Sequence, residues 1–247
     1  MSSESAVRIA VLLPDVMGTY SDRGNATVLA QRLLRRGIPA EVVDATADTV
    51  PPADCDIYVL GGGEDAAQAY AARWLIEQRR LLAAMQNRQV LAVCAGLQVL
   101  GHWMTGPDGH RVAGAGLLDL TTSRGRRRAV GEIVTDGTGS RLGRLTGFEN
   151  HRGRTALGPD SSPLARVVRG VGNGDGSDGV FTGTIIGTYL HGPVLARNSD
   201  LADLLLHRAT GLTLTPLCVP GQKEARRLHL HRRRGPFRAR TRNPADS

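Results

Sequence analysis

The chain has 247 residues, 41% of them hydrophobic and 22% charged, which is typical of one large α/β domain with its own core. Its net charge of +8 comes mainly from segment 221–247, where nine Lys or Arg face two acids, so the body carries only +1. Lys223 is the only lysine, which excludes a Walker-type phosphate loop and Schiff-base chemistry from the body of the protein. Any ATP that the reaction uses is therefore expected on another chain.

Between residues 7 and 103, short apolar segments alternate with segments that have a helical pattern. The apolar segments are rich in Val, Ile and Leu, as buried strands are. Alternation at this spacing predicts a parallel sheet with right-handed crossovers. The predicted strands are Val7–Leu13, Glu41–Val43, Ile57–Leu60 and Gln89–Val93, and the predicted helices are Ala26–Arg36, Ala66–Met85 and Gly96–Trp103.

From Gly114 to Tyr189, short β-like pieces alternate with glycines, which predicts an antiparallel extension beside the parallel sheet. Segment 170–179 contains five glycines together with Asp175 and Asp178, and we interpret it as a flexible hairpin tip rather than a calcium loop. The sequence Ser199–His207 then predicts an amphipathic helix that Ser199 caps.

Segment 221–247 is crowded with arginine and lacks apolar periodicity, which predicts a basic, disordered tail. Its charge would suit acidic lipid or RNA, so a nucleic-acid-binding protein that acts through this tail is one hypothesis. We favour a solvated terminus, because nothing in the body prepares a matching basic face.

The cysteines Cys55, Cys94 and Cys218 are widely spaced and form no CxxC pair, so neither a disulfide framework nor a metal site is predicted. The apolar run Val7–Leu13 is too short to span a membrane and lacks the flanks of a signal peptide. We therefore expect a cytoplasmic protein.

The segment Val90–Gln98 has the pattern of a nucleophile elbow, in which an apolar strand runs through a tight turn into a helix. Cys94 lies at the turn, with the small neighbours Ala92, Ala95 and Gly96 that such a turn requires. A helix N-terminus favours the thiolate, which is the nucleophile of covalent acyl transfer. A buried structural cysteine is the alternative, and we keep that interpretation for the other two cysteines.

A cysteine nucleophile needs a histidine, and His191 is the favoured candidate among seven. It follows the strand-like segment Ile185–Leu190, and the carboxyl ends of parallel strands form the edge where Cys94 also lies. His151 is the competitor, as a supporting residue, a substrate-binding residue or a simple loop histidine. Gly62 and Gly63 end the preceding strand, so their N–H groups and that of Ala95 are the predicted oxyanion hole.

Five segments together resemble the class I glutamine amidotransferases of the cobyric-acid-synthase-like branch, and within it the glutaminase subunits of lipid II isoglutaminyl synthases. The resemblance covers about residues 7–210 and implies a flavodoxin-like, three-layer α/β fold with a mainly parallel sheet. The segments are LLPDVMGTYSDRGN (12–25), LGGGED (60–65), VCAGLQVLG (93–101), GFENHRGRT (147–155) and GTYLHGP (187–193).

The resemblance implies a glutaminase in which Cys94 attacks the side-chain amide of L-glutamine and His191 protonates the ammonia that leaves. The ammonia would pass to a MurT-like, Mur-ligase-like partner in a heterodimer at the inner face of the membrane. That partner would use ATP and Mg²⁺ to amidate D-glutamate of lipid II to D-isoglutamine in peptidoglycan synthesis. The alternatives are amidation of cobyrinate or cobyric acid, and a non-catalytic binding subunit.

The resemblance also implies a substrate-binding role for Arg128, which would hold the α-carboxylate of glutamine, although Arg126 or Arg127 could be the equivalent residue. Gln98 and His151 are further candidates for substrate contact. Two departures from the family pattern matter. Ala92 mildly changes the usual Gly-x-Cys-x-Gly, and Gly192-Pro193 replaces the x-Glu that usually follows the histidine. The missing carboxylate could come from elsewhere in the chain, but we expect the partner to supply it and the isolated chain to have low glutaminase activity.

Overall fold

The computed structural model describes residues 5–18, 22–137 and 142–231. Across these three ranges, none of the helices combines the length and the apolar character needed to cross a lipid bilayer. The strands are β1 Val7–Leu12, β2 Ala40–Ala45, β3 Ile57–Leu60, β4 Gln89–Val93, β5 Trp103–Thr105, β6 Arg111–Ala113, β7 Leu120–Gly137, β8 Arg144–Leu157, β9 Ala165–Arg169, β10 Ser177–Asp178, β11 Val180–Phe181 and β12 Ile185–Thr188. The helices are α1 Gly24–Leu34, α2 Asp65–Glu77, α3 Arg79–Asn87, α4 Ala95–Val99, α5 Val194–Arg197, α6 Ser199–Thr210 and α7 Gln222–His231.

The first sheet has the strand order β11-β12-β4-β3-β1-β2, and all neighbours in it are parallel except β11 and β12. Every residue of β3, β4 and β12 is buried, as is expected of parallel strands that helices cover on both faces. Helices α1, α5 and α6 contact one another, and α2 contacts α3 and α4. The predicted parallel core is confirmed, and it brings the carboxyl ends of β1, β3, β4 and β12 to one edge.

The second sheet has the order β10-β9-β7-β5-β6, with β8 paired to β7. Strands β7 and β8 form a long antiparallel hairpin whose register shifts between Arg124 and Ala129. This sheet is the predicted antiparallel extension, so the α/β fold with two kinds of sheet is confirmed.

Two predicted helices end earlier than their sequence pattern indicates. The chain bends at Gln78 (φ −90°, ψ 62°), which divides the predicted helix Ala66–Met85 into α2 and α3. The predicted helix after Cys94 ends at Val99, because the backbone of His102 donates to Leu120 and accepts from Gly114 and so joins the second sheet.

The glycine-rich segment 170–179 is a packed turn, so its interpretation as a flexible hairpin tip is wrong. The Asn173 side chain is buried and closes the turn, since its Nδ2 donates to Gly179 O and its Oδ1 accepts from Gly179 N. Asp178 is fully buried and accepts hydrogen bonds from Thr188 Oγ1 and Tyr189 N of the parallel sheet's edge. The segment therefore joins the two sheets.

The predicted disorder of segment 221–247 is wrong for its first part, where residues 222–231 form α7. Arg226 fastens this helix to the body, because its guanidinium donates to Asp200 and to the backbone oxygen of Arg144. Residues 232–247 lie outside the described residues. At the start of α6, Ser199 is the first helical residue, and the capping position belongs to Asn198.

Candidate active site

Cys94 lies at a strained turn between β4 and α4. Its backbone has φ 52° and ψ −107°, a conformation that costs a non-glycine residue free energy and is common at functional sites. The surrounding fold fixes this turn: Cys94 N donates to Thr188 O at 2.8 Å, and a Cβ on Gly96 would lie 2.5 Å from Leu60 O. The predicted elbow is thus present, with the cysteine 7% exposed.

His191 follows β12 and is held next to the elbow. Its backbone exchanges hydrogen bonds with Phe148 of β8 at 2.8 and 3.1 Å, so the ring position depends on both sheets. The side chain is 1% exposed, its Nδ1 is hydrogen-bonded to Asp22, and the ring interacts electrostatically with Cys94. The structure therefore brings together the two residues on which the predicted chemistry depends.

Asp22 is the functional residue that the sequence reasoning missed. It lies in the segment between β1 and α1, is fully buried, and its Oδ2 accepts a hydrogen bond from His191 Nδ1 at 3.0 Å. The expectation that a partner supplies this carboxylate is wrong, because a residue of this chain occupies the position. One signal could have found it: Asp22 follows β1, whose carboxyl end lies at the same sheet edge as the elbow.

The surroundings of His191 favour its protonated form. Burial lowers the pKa of this imidazole, but the hydrogen bond to Asp22 and the interaction with Cys94 outweigh burial and raise the pKa to about 10. At neutral pH the ring is therefore an imidazolium. Because Nδ1 donates to Asp22, the proton on Nε2 is the one available to a substrate.

Gly62 does not serve as the predicted oxyanion-hole donor. Its N–H donates to Asp22 Oδ2 at 2.9 Å, so this glycine helps to fix the carboxylate instead. A Cβ at this position would lie 2.7 Å from His191 Cε1, which explains why the residue next to the imidazole is glycine. Gly63 and Ala95 remain as candidate donors, since both line the cavity and Ala95 N belongs to the first turn of α4.

Cys94 and His191 face a cavity that the two sheets share. The parallel sheet and its helices contribute one wall, and the β7–β8 hairpin contributes the other. All predicted site residues except Gly62 line this cavity. These residues are Gly63, Cys94, Ala95, Gln98, Arg128, His151 and His191.

Arg128 is the arginine of the 126–128 run that lines the cavity. Its side chain is exposed, and Nη1 donates to Asn150 Oδ1 on the paired strand at 2.6 Å. Arg124 and Arg152 line the cavity as well, whereas Arg126 and Arg127 do not. Of the three arginines that the sequence left as candidates, Arg128 is therefore the one whose position fits contact with a substrate in the cavity.

His151 is built firmly into the cavity wall. Its ring stacks on Tyr189 with a centroid distance of 3.9 Å, Nε2 lies 3.3 Å from Glu149 Oε2, and Nδ1 lies 3.2 Å from Gly153 O. Glu149 in turn accepts hydrogen bonds from the backbone N–H groups of Val171 and Gly172. The GFENH segment therefore ties the cavity wall to the glycine-rich turn.

In the described ranges, no group of three or more His, Cys, Asp or Glu side chains is arranged to hold a metal ion. What the arrangement offers is a strained cysteine, an imidazolium beside it and a buried carboxylate behind the imidazolium. This combination can form a covalent bond to a carbonyl carbon and protonate the group that leaves.

Residues 8–199 match the CobB/CobQ-like glutamine amidotransferase domain, and the chain belongs to this family. A curated relative in Staphylococcus aureus (strain N315), "Lipid II isoglutaminyl synthase (glutamine-hydrolyzing) subunit GatD", is 37% identical over 86% of this chain and 89% of the relative. A protein of the same name in Streptococcus pneumoniae (strain ATCC BAA-255 / R6) is 33% identical over 82% of this chain and 80% of its own length.

A solved glutamine amidotransferase superposes on 83% of this chain and 99% of its own with a TM-score of 0.56 and 20% identity. At that identity the likeness concerns the fold, and it agrees with the arrangement of sheets and helices described above.

Proposed function

We propose that this chain is a glutaminase subunit that releases ammonia from the side-chain amide of L-glutamine for a partner enzyme. The observation that carries the proposal is the arrangement of Asp22, His191 and Cys94 at a cavity wall, in which His191 is hydrogen-bonded to Asp22 and interacts electrostatically with Cys94. Each member comes from a different part of the sequence. Backbone groups of the parallel sheet's edge hold Asp22 and Cys94, and the backbone of Phe148 in β8 holds His191.

In the first half of the reaction, Cys94 attacks the amide carbon of glutamine as a thiolate, beside the protonated His191, and forms a C–S bond. As the C–N bond breaks, His191 donates its Nε2 proton to the departing nitrogen, which leaves as ammonia. A γ-glutamyl thioester and a neutral His191 remain. Asp22 supports this step, because its charge stabilises the imidazolium and its hydrogen bond fixes which nitrogen faces the substrate.

In the second half, a water molecule attacks the thioester carbon while neutral His191 accepts a proton from it. The C–S bond breaks, glutamate is released, and the thiolate–imidazolium pair is restored. Both halves pass through a tetrahedral oxyanion, for which the N–H groups of Gly63 and Ala95 are the proposed donors. Arg128 is the proposed partner of the α-carboxylate, because a guanidinium fork matches a carboxylate and Asn150 holds the side chain in place.

The proposed destination of the ammonia is a MurT-like ligase that amidates D-glutamate of lipid II with ATP and Mg²⁺. Two relatives that cover most of this chain are named as subunits of lipid II isoglutaminyl synthases, which supports this acceptor. The distribution of lysine supports a division of labour as well, since Lys223 lies in α7 and the body has no lysine for a phosphate loop.

The test uses L-glutamine labelled in its side-chain amide nitrogen. The purified chain is expected to release labelled ammonia and glutamate in equal amounts. With a MurT-like ligase, ATP, Mg²⁺ and lipid II present, the label is expected in the amidated stem peptide by mass spectrometry. Absence of ammonia release with or without the ligase would contradict the glutaminase, whereas release without transfer of the label would contradict the proposed acceptor.

A further inference from the structure

Gln68 is a buried polar side chain in the cavity wall that the mechanism above does not use. It lies one turn into α2 and lines the same cavity as Cys94 and His191. Burial of a carboxamide next to a reactive site has a free-energy cost unless its polar atoms are paired. We therefore expect its polar atoms to have hydrogen-bond partners.

One end of the Gln68 amide belongs to a series of buried hydrogen bonds. Gln68 Nε2 donates to Gln98 Oε1 at 2.5 Å, and Gln98 Nε2 donates to Tyr189 Oη at 3.0 Å. Tyr189 Oη lies 2.6 Å from Thr155 Oγ1, which in turn is 3.1 Å from Thr122 Oγ1. Both polar atoms of Gln98 are thus used by the protein, so its side chain serves to orient Gln68.

The other end of the amide, Gln68 Oε1, accepts no hydrogen bond from any group in ranges 5–18, 22–137 and 142–231. The oxygen is not one of the fully buried side-chain atoms that lack a partner, and Gln68 lines the cavity, so we infer that the oxygen is accessible from the cavity. An oriented, partly desolvated carbonyl oxygen of this kind is a ready acceptor for a cationic donor.

The charges around the cavity agree with an ammonium group on this side. Glu64 and Asp65 at the start of α2 line the cavity next to Gln68, and Asp65 also pairs with Arg124 at 3.4 Å. The cationic Arg128 and Arg152 come from the β7–β8 hairpin. A zwitterionic amino acid is therefore expected to direct its ammonium group toward α2 and its carboxylate toward the hairpin.

We propose that Gln68 Oε1 accepts a hydrogen bond from the α-ammonium group of the substrate and so selects an α-amino acid amide over other primary amides. This inference rests on the proposed glutaminase function. The contact is present both before and during the reaction, so its loss is expected to raise KM and to leave kcat nearly unchanged.

The test compares ammonia release from three amides: L-glutamine, glutaramate, which lacks the amino group, and 4-aminobutanamide, which lacks the carboxylate. In Gln68→Met, which keeps the length and removes the acceptor, kcat/KM for L-glutamine is expected to fall about 10- to 100-fold through KM. Glutaramate is expected to change less than about 3-fold, because it has no ammonium to lose a contact. Gln68→Glu keeps an acceptor and is expected to retain the preference for L-glutamine.

Intact folding of both variants is checked by the rate at which iodoacetamide, a small electrophile without an amino acid group, alkylates Cys94. An equal fall for L-glutamine and glutaramate in Gln68→Met would indicate a structural role and overturn the inference. If Gln68→Met instead lowered kcat/KM for glutaramate and left it unchanged for 4-aminobutanamide, Gln68 would contact the carboxylate. That result would also overturn the inference. A wild-type chain inactive on L-glutamine would instead contradict the glutaminase itself, and the inference with it.

Discussion

The parallel sheet presents the buried groups Cys94 and His191 to the cavity, whereas the arginines that the β7–β8 hairpin of the second sheet presents to it are exposed. Cys94, His191 and Asp22 are 7%, 1% and 0% exposed and follow three different strands of the first sheet. Arg128 lies on β7 among exposed neighbours and is held mainly by Asn150. The groups proposed to change bonds therefore come from the buried part of the molecule, and the arginine proposed to recognise the substrate carboxylate comes from the more solvated part.

This difference implies a kinetic division between the two sheets. Substitutions at the parallel sheet's edge should act on kcat, because those groups act on the transition state. Substitutions on the hairpin should act mainly on KM, because charge recognition is present in the bound substrate as well. The predictions that follow probe this division, in order of decreasing effect.

Cys94→Ala is expected to lower glutamine hydrolysis by at least about 10⁴-fold, because no other group can form the thioester. Ammonia release is the measurement. Cys218→Ala is the matched control and should retain the wild-type rate, since Cys218 is exposed and outside the cavity. Residual activity in Cys94→Ala comparable to that of the control would contradict covalent catalysis by this residue.

Asp22→Asn is expected to lower kcat by about 10²- to 10⁴-fold. An asparagine oxygen can still accept from Gly62 N, so the change removes the charge behind His191 with little effect on the fold.

The pH profile gives this substitution a second readout. In the wild type, the imidazolium proposed to protonate the leaving nitrogen is lost as the pH rises through about 10, so the alkaline limb of kcat/KM is expected there. In Asp22→Asn one of the interactions that raise the pKa of His191 is absent, and the limb is expected to move down by at least about 1 pH unit. An unmoved limb would show that Asp22 does not control this proton.

Arg128→Ala is expected to raise KM for L-glutamine about 10- to 100-fold with kcat within about 3-fold of the wild type. Arg127→Ala offers a matched control, because it removes an exposed neighbour that does not line the cavity. Steady-state kinetics gives kcat and KM for both variants. A fall in kcat alone for Arg128→Ala would contradict the proposal that substitutions on the hairpin act mainly on KM.

Asp178, which joins the sheets, is expected to affect stability in a pH-dependent way. Burial raises the pKa of its carboxyl to about 7, against the hydrogen bonds from Thr188 and Tyr189. Between about pH 4 and pH 7 the folded chain keeps a proton that the unfolded chain has lost, so the free energy of unfolding falls as the pH rises, by at most about 1.4 kcal/mol per pH unit. Above about pH 7 this contribution is constant.

Denaturant unfolding of the wild type and of Asp178→Asn across this range isolates that contribution. The asparagine variant does not titrate at this position, so its curve should be flatter between pH 4 and pH 7. A difference between the two curves that stays constant across the range would show that the carboxyl is ionised throughout.

Local sequence patterns were sufficient for the features that one segment encodes. The apolar run before Cys94 and the small residues after it indicate the elbow, and the strand before His191 places the histidine at the same sheet edge. The choice of Arg128 came from the resemblance to the family, and only the structure separates it from Arg126 and Arg127.

Features that depend on contacts between distant segments escaped the sequence reasoning. Asp22 lies 169 residues from His191, and the pairing of β1, β3, β4 and β12 in one sheet brings them together. The hydrogen bond from Gly62 N to Asp22 could not be predicted from the sequence for the same reason. Segment 170–179 has the composition of a loose turn, and its order comes from the buried side chain of Asn173 and from Glu149 on another strand.

The most direct test of the account is covalent labelling of the chain with 6-diazo-5-oxo-L-norleucine, a glutamine analogue that alkylates a nucleophilic cysteine, followed by peptide mapping. We expect one label per chain, on Cys94, with a rate that Asp22→Asn lowers and excess L-glutamine suppresses. Labelling of Cys55 or Cys218 instead of Cys94 would contradict a glutamine-specific site built from Cys94, His191 and Asp22. A labelling rate that neither Asp22→Asn nor excess L-glutamine changes would contradict it as well.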